Sequence, residues 1–101
     1  MKSRILPGAF ALTALTLTAC GLSQKEMETA KKHFAEAAEQ QCKCDKIKAQ
    51  KDFNQNDYSA CVREYEQRVK YMEAFFEVTK PSSGERAEAA KAGDAVTAAC
   101  K

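Results

Sequence analysis

Four cysteines constrain this chain more than any other feature: Cys42 and Cys44, separated by one lysine, then Cys61 and Cys100. They lie in a chain short enough that its core is marginal by size, and pairing them fixes which stretches run side by side. A four-thiolate zinc site is the rival arrangement. Zinc-binding pairs more often show C-x₂-C spacing and belong to reducing compartments, whereas here a C-x-C is followed by single, widely spaced cysteines. In an exported small domain an even set of this kind reads as two disulfides, and no metal is expected.

Export is indicated by the first twenty residues. Lys2 and Arg4 precede a run from Ile5 to Thr18 made of Leu, Ala and Thr with Pro7, Gly8 and Phe10. About fourteen such residues span roughly 21 Å as a helix, short of the roughly 30 Å hydrocarbon core, so residues 1–19 read as a signal peptide rather than a permanent transmembrane helix. The segment ends in Leu17-Thr18-Ala19-Cys20, an aliphatic residue, two small residues and a cysteine. This resembles the lipobox of bacterial lipoproteins, and the resemblance covers the export segment alone. It implies cleavage before Cys20, a diacylglyceryl group on that thiol and usually a third acyl chain on the new amino group. Several buried chains at about 0.8 kcal/mol per methylene make such an anchor stable. Gly21 stands where an aspartate often marks inner-membrane retention, which implies the periplasmic face of the outer membrane in a host that has one. Apart from this covalent lipid, no cofactor is expected.

Taking the signal away changes the charge balance. Two of the sixteen Lys and Arg are Lys2 and Arg4, and the rest equal the fourteen Asp and Glu. No net basic surface points to nucleic acid or anionic lipid as a partner. Roughly 80 residues remain, one small domain whose core is marginal by size. Residues 20–24 read as the lipidated cysteine and a short tether, and 25–101 as the folded bundle.

That bundle is expected to be all-α, three helices running up, down and up. From Lys25 to about Gln50 no proline or glycine interrupts, and Met27, Ala30, Phe34, Ala37, Gln41 and Cys44 recur at three- and four-residue steps. A polar turn follows, with Asn56 or Asp57 placed to cap a second helix, whose stripe is Tyr58, Val62, Tyr65, Val69, Met72, Phe76 and Thr79. Lys80-Pro81-Ser82-Ser83-Gly84 ends it. Ser82 and Glu85 match a capping box for a third helix running to about Cys100, with Ala89, Ala92, Val96 and Ala99 on one face and Gly93 as a weak point.

In this arrangement Cys61 lies roughly 27 Å, and Cys100 about 24 Å, from the pole where helices two and three meet, while Cys42 and Cys44 fall within a turn of the same layer. Cys42 and Cys44 are about 200° apart around their helix and face different neighbours, which disfavours a bond between them. Two inter-helix pairings remain open: Cys44 to Cys61 with Cys42 to Cys100, which is preferred, and the crossed alternative.

Signs of catalysis are weak. His33 is the only histidine; beside Glu36 it could act as a base or ligand, but it is placed on a solvated flank beside Phe34, no cysteine or second histidine stands at i+3 or i+4, and no free thiol is expected as a nucleophile. No nucleophile elbow, phosphate loop or H-E-x-x-H is present, so an enzyme is not expected, nor a small-molecule substrate. Most acids have a base one turn away, as in Glu28 to Lys32, Glu39 to Lys43, Glu64 to Arg68, Glu66 to Lys70 and Glu88 to Lys91, which describes solvated faces. Tyr71, Phe75 and Val78 lie off the centre of the second helix's stripe and read as an exposed apolar strip for a protein partner. The expectation is therefore a non-catalytic, lipid-anchored binding module. Small lipoproteins of this general design include entry-exclusion factors, immunity proteins and assembly accessories. A structural envelope component acting by self-association is the alternative, and a thiol-redox or metal protein a more distant third.

Overall fold

The computed structural model describes residues 21–100; the expectations for the signal segment and for Cys20 fall outside the described residues. Three helices follow in chain order, α1 Gln24–Ala49, α2 Gln55–Thr79 and α3 Ser83–Ala99, and no strand occurs among the described residues. The all-α bundle expected from periodicity is the observed architecture.

Each helix begins where a side chain satisfies amides that the helix itself leaves unpaired. Ser23 Oγ accepts from the Glu26 amide at 3.0 Å while the Glu26 carboxylate accepts from the Ser23 amide at 2.9 Å, a complete capping box that starts α1. The cap of α2 is Asn54, not Asn56 or Asp57. Its backbone is extended and its Oδ1 accepts from the amides of both Asn56 and Asp57, at 2.8 and 3.1 Å, so the two expected caps lie inside the helix they were meant to start. At the other end Lys80 adopts a left-handed conformation, φ 48°, and its N–H bonds back to the Phe76 carbonyl. Pro81, lacking an N–H, prevents any continuation. Ser82 and Glu85 form the capping box of α3 as expected.

α1 is the central helix, with α2 and α3 both packed along it. The apolar core lies toward the pole where α1 and α3 begin and α2 ends: Ala30, Met72, Phe76 and Ala89 are buried, with Leu22, Met27, Phe34 and Phe75 against them. Ala30 and Ala89 have no exposed surface, and a Cβ on Gly93 would stand 3.0 Å from the Phe34 carbonyl oxygen, so α1 and α3 meet nearly backbone to backbone. The contact line of α3 therefore runs through Ala89 and Gly93, and Ala99, expected on the inner face, is exposed. On α1 the correction is similar: Gln40 is buried and Gln41 is exposed, because the seam with α2 follows Ala37, Gln40 and Cys44.

The opposite end is held covalently. Cys42 pairs with Cys100 and Cys44 with Cys61, at Cα separations of 6.0 and 5.6 Å, the first of the two pairings left open by the sequence. Gln40 completes this layer by donating its side-chain amide to the Cys61 carbonyl at 3.3 Å. Among the described residues no large side chain is fully buried, so the covalent end complements a core made of small contacts.

Candidate interaction face

On the seam between α1 and α2, side chains from both helices enclose a hollow of about 210 Å³ open to solvent, lined by His33, Glu36, Glu64, Gln67, Arg68 and Tyr71. Helical spacing assembles it: His33 and Glu36 are one turn apart on α1, while Glu64, Arg68 and Tyr71 climb one face of α2 at steps of four and three.

Arg68 is its charged centre. One guanidinium nitrogen meets Glu64 on the same helix at 3.0 Å and the other meets Glu36 across the seam at 3.6 Å. The third guanidinium nitrogen, Nε, is buried without a hydrogen-bond partner. Beside it, Gln67 donates to the Tyr71 hydroxyl at 3.1 Å, which steadies a ring that is otherwise 59% exposed.

Of the strip expected on α2, Tyr71 and Val78 are exposed, the latter at 83%, and seven residues bring them back to one line of the helix. Phe75 departs from the expectation. It is half-buried, packs against the core and lies 5.2 Å from the His33 ring, so it backs the strip rather than extending it. His33 is accordingly half-buried under α2 and not on a solvated flank. Sequence reasoning placed Glu64 with Arg68 through their spacing, but missed Glu36 and His33 as neighbours of that pair, because only the register between two helices brings them together.

Of the other expected side-chain pairs, Lys91 meets Glu88 at 3.1 Å. A pair that the sequence did not suggest joins α3 to α2: Arg86 reaches Glu73 at 2.9 Å while its guanidinium lies over Phe76. Among the described residues no three His, Cys, Asp or Glu side chains converge as a metal-binding group, and no helix is long and apolar enough to cross a membrane. The seam brings an aromatic hydroxyl, a guanidinium, a carboxamide and two carboxylates into one patch. No protein-family model, no curated protein and no solved structure matches this chain.

Proposed function

We propose that the protein is an envelope lipoprotein, cut before Cys20 and anchored by acyl chains, whose bundle is a non-catalytic binding module for another envelope protein. The observation that carries this reading is the exposure of Tyr71 and Val78 on one line of α2, beside a hollow centred on Arg68. Tyrosine and arginine in a partly enclosed patch are the residue types that dominate binding energy at protein interfaces.

Crosslinking the lipidated protein in its native envelope and recovering its neighbours tests the reading. A distinct protein is expected, and Tyr71→Ala is expected to weaken its capture by about 30-fold, the equivalent of about 2 kcal/mol at a hot-spot position. Recovery of this chain alone would replace the reading with self-association.

A further inference from the structure

Leu22, the second residue after Cys20, is built into the fold. The Leu22 amide donates to a Glu85 carboxylate oxygen at 2.7 Å, across 63 positions of sequence, and the Leu22 side chain packs against the core cluster. The other oxygen of Glu85 accepts from the Ser82 amide at 2.9 Å as part of the α3 cap, so the start of the mature chain is tied to a helix terminus that is itself fixed. Ser23, the next residue, is already the cap of α1. The short tether expected at 20–24 thus contains no free segment after Gly21.

From this we infer that the bundle stands upright on the bilayer, with the pole formed by Leu22, Pro81, Ser83 and Glu85 resting on the lipid headgroups and the disulfide end directed away. The inference rests on the proposed lipid anchor. From Leu22 to Cys20 is two peptide units, about 7 Å at most, so acyl chains on Cys20 leave the protein at this pole. A tether of that length, ordered by Leu22 and Glu85, leaves the domain little freedom to topple onto a side. Charge offers no attraction to anionic lipid, since Lys25, Lys80 and Arg86 at this end are outnumbered by Glu26, Glu28, Glu77 and Glu85. The bilayer is therefore recognised as a surface, through the anchor and the shape of the pole, without a preference for anionic lipid.

Upright placement also sets where a partner has to be. His33 and Glu36 lie nine and twelve residues into α1, so the seam opens sideways roughly 14 to 18 Å above the pole, and the 51–54 turn stands roughly 40 Å above it. The fitting partner is a membrane-seated protein whose own extramembrane surface reaches this height.

The chain contains no tryptophan, so single-tryptophan variants report position unambiguously. Ser83→Trp marks the lower pole and Phe53→Trp the far turn, both at exposed positions. Lipidated protein is reconstituted in phosphatidylcholine vesicles carrying brominated chains, and its mass is measured intact. The expected result is strong quenching and a blue shift for Ser83→Trp, none for Phe53→Trp, unchanged by adding anionic lipid or salt. Adding Leu22→Gly with Glu85→Ala is expected to narrow the difference between the two probes. Equal quenching of both in acylated protein, or no response to the double substitution, overturns the upright placement and leaves the anchor intact. A mass without acyl chains overturns both.

Discussion

Glu85 concentrates several functions in one carboxylate. The backbone amides of Ser82 and then of Leu22 hold its pKa below the ordinary glutamate range, against a smaller opposing effect of desolvation. Both donors favour the charged form, and a lowered folded-state pKa has a defined sign. The stabilisation is fully present above the pKa of an unfolded glutamate and is lost as pH falls through the lower, folded value. The expected outcome is that hydrogen-exchange protection of the Leu22 amide, corrected for intrinsic chemistry, disappears in acid below the ordinary carboxylate range. Glu85→Ala should lack that protection at neutral pH as well. Protection that persists in the variant would mean that the packing of the Leu22 side chain, rather than the carboxylate, holds the start of the chain.

Among the helices, α3 shows what alanine and glycine accomplish in a bundle with few large buried side chains. Ala89 and Gly93 allow close approach to α1, and the space at Gly93 is occupied by the backbone of Phe34, which cannot move aside as a side chain would. Gly93→Ala gains about 1 kcal/mol of helix propensity but inserts a methyl into that contact, and overpacking typically costs about 1–3 kcal/mol. A net loss of about 1 kcal/mol is expected in denaturant unfolding. Gly84→Ala is the contrast, because its Cβ would meet nothing nearer than the Ser82 hydroxyl at 4.0 Å, and it should stabilise slightly. The comparison also shows what was legible in advance. Helix number, their approximate limits, the α3 capping box and the convergence of the cysteines followed from three- and four-residue periodicity and from Pro81. The displacement of the inner faces by one residue, at Gln40 for Gln41 and Gly93 for Ala92, did not, because composition alone does not reveal how closely two backbones approach. The interaction face was half legible for the same reason: Tyr71 and Val78 follow from one helix, whereas His33 and Glu36 depend on the register of two.

Across the whole molecule, stability is divided between two ends. One has the apolar cluster around Met72 and Phe76, and the other has the disulfides from Cys42 to Cys100 and from Cys44 to Cys61. Closing loops of 58 and 17 residues stabilises the fold by about 4 and 3 kcal/mol in the chain-entropy model, a large part of a margin that is typically about 5–15 kcal/mol. Replacing Cys42 and Cys100 together by alanine is expected to lower Tm by about 20 °C in a thermal melt followed by circular dichroism. Exchange protection should be lost first from Val96 to Ala99, while amides near Ala30 and Phe76 stay protected. Uniform loss would instead indicate a single cooperative unit. The division suits the proposed role, with a packed end beside the bilayer and a covalent end projecting from it.

A photo-crosslinking residue placed at Val78, exposed beside Tyr71 on the same line of α2, in the lipidated protein and activated in intact cells, joins these levels in one measurement. The proposed role predicts a single major adduct with a different envelope protein, abolished when Arg68 is also replaced by alanine and absent when the crosslinker is moved to Glu88 on α3. Adducts with this chain alone, or equal adducts from both positions, would contradict it.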